Sequence, residues 1–315
     1  GISLKPGDEI LTTTQDYGRM LNTIKQRERR DGIVMKQIKL PVPIKSSDEV
    51  IKLFEQAMTE KTRALLMCHV VNITGEILPV AEVCRLAKDR GIRTIVDGAH
   101  AFAHLVYQVG DLECDLYATS LHKWLSAPIG TGFLYVRRDL IKDLWPLQAA
   151  PSELDENIRK FEEIGTHPTA PRLAIAEALT FYLGIGAQRK EARLRWLRDY
   201  WAIRVSKHER VKFHTNLDPS HSCGLATMEI TGIDPVALTS HLWKAHKIIV
   251  TPIEHEDFRG IRVTPNVYTT TQGLGLFCDA IDRVVSDGLP DPKSRPSKSP
   301  ATKPASEPAT TAPDS

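Results

Sequence analysis

Three short stretches place reactive polar side chains directly after apolar runs. "RALLMCHV" leads into "VNITGEI", which offers His69, Asn72 and Thr74; "RTIV" leads into "DGAHA", which offers Asp97 and His100; "LYAT" leads into "SLHKW", which offers Ser120, His122 and Lys123. A carboxylate, a lysine, a hydroxyl and several histidines in one crevice suit few reaction classes, and lysine chemistry fits best. An amine becomes a nucleophile when burial or neighbouring cations lower its pKa enough to supply the neutral form, which condenses with a carbonyl. If that carbonyl belongs to pyridoxal phosphate, the site also needs a carboxylate to keep the pyridine nitrogen protonated, and hydroxyls and backbone amides for the phosphate. Asp97, Ser120 and Lys123 supply a side chain for each part. Singly, each has a plainer reading: Asp97 as a helix N-cap, His122 and Lys123 as a solvated turn, His100 as a hydrogen-bonded structural histidine. Their joint placement after successive apolar runs favours chemistry.

The elements that would position them alternate. Up to about residue 145, the strand-like runs "DEILTTT", "IVMKQIKL", "RALLMCHV", "RTIVDGA", "DLYATS" and "GFLYVRR" are interleaved with the helical patterns "GRMLNTIKQRERR", "SDEVIKLFEQAM" and "VAEVCRLAKDRG". That order predicts an α/β fold with a mostly parallel sheet and helices on both faces, and such sheets bind ligands outside the carboxyl ends of their strands. After Pro151 the pattern turns to long helices and then to short strands mixed with helices, the mark of a smaller α+β unit. The predicted division is 1–150, 151–288 and a tail over 289–315. The last 26 residues hold seven of the 20 prolines and no aromatic or branched aliphatic side chain, so disorder is expected there.

With 315 residues, 42% of them hydrophobic, the chain can bury more than one core. Its 41 basic and 39 acidic residues leave a formal charge of +2. That balance offers no electrostatic case for nucleic acid or an anionic membrane surface and points to a small-molecule partner. Five widely spaced cysteines, without a CxxC pair or zinc-ligand spacing, suit reduced thiols in a cytoplasmic protein; no metal is expected. No stretch is apolar enough to span a bilayer. The sequence opens at Gly1 with a turn followed by a strand pattern, which reads as a cut edge with further residues, and any targeting signal, upstream.

The runs "VNITGEILPVAEVCRLAKDRGIRTIVDGAHAFAH" and "CDLYATSLHKWLSAPIGTGFLYVRR" closely resemble the class V aminotransferases among the fold-type I pyridoxal-phosphate enzymes, and within them the isopenicillin N epimerase-like branch. The resemblance covers roughly residues 1–285. It implies the PLP-transferase fold, with a mostly parallel seven-stranded-type sheet, and the cofactor pyridoxal 5'-phosphate. Lys123 would form the Schiff base and move protons at the substrate Cα; Asp97 would pair with the pyridinium; His100 and Asn72 would lie near the phenolic oxygen. Ser120 and His122 would face the phosphate, and Thr166 would complete the phosphate site of a neighbouring subunit, making a homodimer with shared active sites. Arg262, in "GIRVTPNVYTT", matches the arginine that forks onto the substrate α-carboxylate, against a plainer reading as a surface strand arginine. Trp124 reads as packing.

The resemblance also implies a segment ahead of "LKPGDEIL" that carries a phosphate loop and a ring-stacking side chain; neither is expected within this chain. A chain lacking them could be a non-catalytic relative, which is the reading from another class. Cysteine desulfurases of this class need a reactive cysteine shortly before the carboxylate-binding arginine, where this sequence has "TPIEHEDFRGIRVTP". Cys223, in "SHSCGLATM", reads as the opening of a strand. The reaction therefore stays open between an epimerase, which needs proton donors on both faces of a planar carbanion, and a C–S lyase or transaminase, for which Lys123 suffices.

Overall fold

The computed structural model describes residues 1–290; the expected tail, from residue 291 onward, lies outside the described residues. The first half is built as β1 (Glu9–Thr13), α1 (Gly18–Asp31), β2 (Val34–Ile38), α2 (Ser47–Ala57), β3 (Thr62–Cys68), α3 (Val80–Asp89), β4 (Arg93–Asp97), β5 (Leu116–Ser120) and β6 (Gly132–Val136). Local sequence explains the start of α2 and the buried faces of α2 and α3. Ser46 accepts from the Glu49 N–H at 3.3 Å to cap α2, whose Val50, Phe54 and Ala57 are buried. In α3 the apolar set Val80, Val83, Cys84 and Ala87 recurs at the spacing of one helical face, and all four are buried.

The six strands run in the order β2-β1-β3-β4-β5-β6, parallel throughout except for the antiparallel pair β5 and β6. β3 lies between β1 and β4, and every residue in it but Arg63 is buried, as expected of a parallel strand covered on both faces. From β1 the chain steps outward to β2 and then returns to the other side of β1 to form β3. This reversal opens a crevice at the carboxyl ends of β1 and β3, where doubly wound sheets bind ligands.

Beyond residue 150 follow α4 (Ala170–Leu173), α5 (Ile175–Ile185), α6 (Ala187–Val205), β7 (Val211–Phe213), β8 (Ala226–Ile230), α7 (Pro235–His246), β9 (Thr251–Glu254), β10 (Arg259–Val263) and α8 (Thr271–Asp287). Four of these form an antiparallel sheet, β7-β8-β10-β9. Trp201, Met228, Leu242, Ile261, Phe277 and Ile281 bring α6, α7 and α8 onto it in a second core, separate from the core around Leu11, Phe54, Val83 and Tyr117. β7, only three residues long, is the strand that the sequence pattern did not signal. Among the described residues no helix is long and apolar enough to cross a membrane.

The second sheet grips one loop of the first. Thr227 Oγ1 donates to the Ile73 carbonyl at 2.7 Å, Thr215 Oγ1 donates to that of Thr74, and the Ile77 N–H reaches the His221 carbonyl at 2.7 Å. Gly75 makes this approach feasible: its φ of +84° lies in the left-handed region, and a Cβ would overlap the Leu225 backbone.

Candidate active site

β4 and β5 are neighbouring parallel strands, and both end in reactive groups. Asp97 is the last residue of β4. Its Oδ1 accepts from the Ala99 N–H at 2.9 Å, and the turn that follows packs against β5 because Gly98 has no side chain. A Cβ there would overlap the Tyr117 phenol, and the Gly98 carbonyl instead accepts from Thr119 Oγ1 at 3.1 Å. This contact is the physical content of the "DGA" motif. The β5 strand ends at half-buried Ser120, and Lys123 then sits in a compact loop closed by hydrogen bonds from Leu121 N to Thr131 O and from Ala127 N to Leu121 O, each 3.0 Å. The loop holds the lysine half-buried at the strand end, whereas His122 beside it is exposed.

Burial dominates the electrostatics. It lowers the Lys123 pKa, against the opposing pull of Asp97, and raises the Asp97 pKa, against the Ala99 bond and the Lys123 charge. Both groups are held toward their neutral forms. His100 is driven well below its ordinary value by burial and by the Lys123 and Arg262 charges, and Lys123 in turn feels Asp97 and Arg262, so these groups lie within electrostatic reach of one another.

Arg262, on β10, enters from the antiparallel sheet. Its Nη1 donates to the Asn72 carbonyl at 2.7 Å, and its Nη2 lies 3.4 Å from Thr251 Oγ1. Its Nε is buried without a partner, burial lowers its pKa, and among the described residues it forms no ion pair. A half-buried guanidinium without an acid has the charge and the free donor to receive an anion. The expected surface alternative for this arginine does not apply. The Asn72 side-chain oxygen is likewise buried and unpartnered.

The structure thus brings Asp97, His100, Lys123, Asn72 and Arg262 together. Thr166 stands apart, exposed on the segment before α4, with no hydrogen bond to any of them among the described residues. Thr74 serves the loop itself, accepting the Glu76 N–H at 3.4 Å. His69 is buried edge-on against Tyr107 at 4.6 Å, and burial takes its pKa to about 4, so it is neutral.

Sequence reasoning missed Tyr17. An aromatic side chain for the site was expected only from residues upstream of the chain, yet Lys123 Nζ lies 5.9 Å from the centre of the Tyr17 ring. Asp16 fixes the preceding turn: Oδ2 accepts from the Thr13 N–H at 2.8 Å and from Thr12 Oγ1 at 2.7 Å, and Oδ1 accepts from the Cys68 N–H at 2.8 Å, across the β1/β3 crevice. In sequence, "TQDYG" directly follows β1 at its carboxyl end.

The family model "Aminotransferase class-V" matches residues 1–255. The chain belongs to the class-V aminotransferase family. Isopenicillin N epimerase of Amycolatopsis lactamdurans is 32% identical over 88% of this chain and 74% of its own length, and that of Streptomyces clavuligerus is 31% identical over 91% and 76%. A cysteine desulfurase from Thermococcus onnurineus superposes with a TM-score of 0.76 at 22% identity, covering 90% of this chain and 74% of that one. The cystine C–S lyase C-DES, solved with cysteine persulfide, superposes with a TM-score of 0.79 at 20% identity over 89% and 76%. These structural likenesses establish the fold.

Class-V aminotransferases are pyridoxal-phosphate enzymes, and the residues of this member fit that group. Lys123 is a pKa-lowered amine, Asp97 is a half-buried carboxylate with a second oxygen unbonded among the described residues, and Arg262 keeps a buried N–H donor without a partner. The chemistry of each matches one need of a phosphorylated pyridine aldehyde and an amino-acid carboxylate.

Proposed function

We propose that this chain is an isopenicillin N epimerase-like enzyme that acts at the Cα of an amino acid or small peptide-like amine. The observation that carries this reading is the pair Asp97 and Lys123 at adjacent strand ends, each short of a full counter-charge, with Arg262 facing the same cluster. Bound pyridoxal phosphate would supply an electron sink for the bonds at Cα. Lys123 would hold its aldehyde carbon and serve one face of the substrate Cα, taking or giving the proton there, while inversion requires a second acid on the opposite face. The Asp97 carboxylate would keep the pyridine nitrogen protonated, while His100 and Asn72 would hold the phenolic oxygen. Ser120 and His122 would serve the phosphate, Thr166 that of a neighbouring subunit, and Arg262 the substrate α-carboxylate.

Relatives named for epimerising isopenicillin N support a peptide-like substrate. A desulfurase that relies on a cysteine nucleophile is disfavoured, because all five cysteines are free and buried and burial holds the Cys223 thiol at about 12. C–S lyase or transaminase action is the second reading, since both can proceed with Lys123 as the sole base.

A second copy of the chain is proposed as partner. Helix α5 buries only Ala178, and its Phe181 and Leu183 are 52% and 71% exposed, beside Leu173 of α4 at 70%. Free, buried cysteines fit a cytoplasmic setting. The separate cores support a division into 1–150 and 151–288.

Product analysis in deuterated water tests the reaction. Epimerisation returns the same amino acid, inverted and deuterated at Cα; a keto acid as the main product would replace this reading by the lyase or transaminase one.

A further inference from the structure

The sequence assigned Trp124 to packing, but its hydrogen bonds say more. The chain of donors can be worked out from the one group whose proton is fixed. The Gly224 backbone N–H points at His104 Nε2 at 2.8 Å, so that nitrogen must be the lone-pair side of the ring. The His104 proton then sits on Nδ1, which donates to the His100 carbonyl at 2.7 Å. Full burial, with a pKa taken to about 3, keeps His104 neutral. Its ring stacks on the Trp124 indole at 3.7 Å and 8° between planes, and the Trp124 carbonyl accepts from the buried Lys190 ammonium. Trp124 is therefore clamped on its face and at its backbone. An indole N–H can only donate, and it donates to His100 Nδ1 at 3.3 Å.

We propose that Trp124 and His104 are positioning residues that fix His100 with its proton on Nε2, so that His100 meets the Lys123 cleft as a hydrogen-bond donor. The groups acting on it are Lys123 and Arg262, with neutral His104 behind; the guanidinium has no acceptor and His104 Nε2 already accepts from Gly224. A donor so held suits an anionic oxygen on the ligand and cannot act as a general base while the Trp124 bond stands. The tautomer belongs to the chain alone; only its use toward the cofactor rests on the function proposed above.

Nitrogen-15 NMR of the full chain, labelled at its 11 histidines and freed of cofactor, reads the tautomer directly. The His100 signals are those lost in His100→Gln. The wild type is expected to show an unprotonated Nδ1 and a protonated Nε2; a proton on Nδ1 would overturn the proposal. Trp124→Phe keeps a ring for His104 to stack on and removes the N–H, and should yield a mixture of tautomers. An unmixed Nε2–H form in a folded Trp124→Phe protein would also overturn it. In the loaded enzyme the same variant should raise the pH midpoint of the visible band by about half a unit to one unit, the scale of one hydrogen bond. A mixed tautomer with an unmoved midpoint would remove the link to the cofactor.

Discussion

Glu76 makes the most quantitative prediction, because it is a carboxylic acid buried where the second sheet grips the loop that carries Asn72. It is 1% exposed; its Oε1 accepts from the Asn216 N–H at 2.7 Å and from the Ile44 N–H at 3.2 Å, and its Oε2 is buried without a partner. Burial raises its pKa from an ordinary 4.5 to about 8, against the pull of those two bonds. The sign follows from which state holds the proton. Above 4.5 the unfolded chain releases it while the folded chain keeps it until about 8, so stability falls across this window as pH rises. At about 1.4 kcal/mol per pH unit, the loss between pH 5 and pH 8 is on the order of 3 kcal/mol. Glu76→Gln keeps the accepting oxygen and removes the ionisation. Urea unfolding of both proteins at several pH values is the assay. Their stabilities should diverge by about 2–4 kcal/mol in favour of the variant between pH 5 and pH 8. Parallel pH profiles would refute the reasoning, since they would mean that Glu76 ionises as it does in the unfolded chain.

Other expectations follow from the site. Arg262→Lys replaces a fork by a point charge, so an amino acid should bind the loaded enzyme at least about tenfold more weakly by absorbance titration, while the corresponding decarboxylated amine should bind unchanged. Because burial lowers the Lys123 pKa from 10.5, the rate at which the cofactor-free chain takes up pyridoxal phosphate should rise with pH and level off below 10.5, as measured by stopped-flow absorbance; a rise that continues past that value would contradict a perturbed lysine. Leu183→Asp places a charge on the exposed face of α5, so sedimentation should show a dimer in the wild type and a monomer in the variant. A monomeric wild type would end that account of the face.

Most of the first half was legible because its signals are local. The six strand runs and three helices of the mostly parallel sheet follow hydrophobic period, and the strand-end rule directed attention to Asp97 and Lys123. β7 escaped because three residues carry no period. Tyr17 escaped because its role depends on strand order: nothing in "QDYG" says that β1 lies beside β3 and across from the Lys123 loop. The bond from Arg262 Nη1 to the Asn72 carbonyl joins positions 190 apart in sequence, and the Trp124 bond to His100 spans 24. Both are products of tertiary packing that no window of residues contains.

The central claim is that Lys123 is the attachment point of pyridoxal phosphate. Visible absorbance titration of the purified chain with pyridoxal phosphate, beside Lys123→Ala, tests it most directly. The account predicts a saturable visible band in the wild type that sodium borohydride fixes covalently to the peptide containing Lys123 and that the alanine variant lacks. Equal bands in both proteins, or fixation at another lysine, would contradict it.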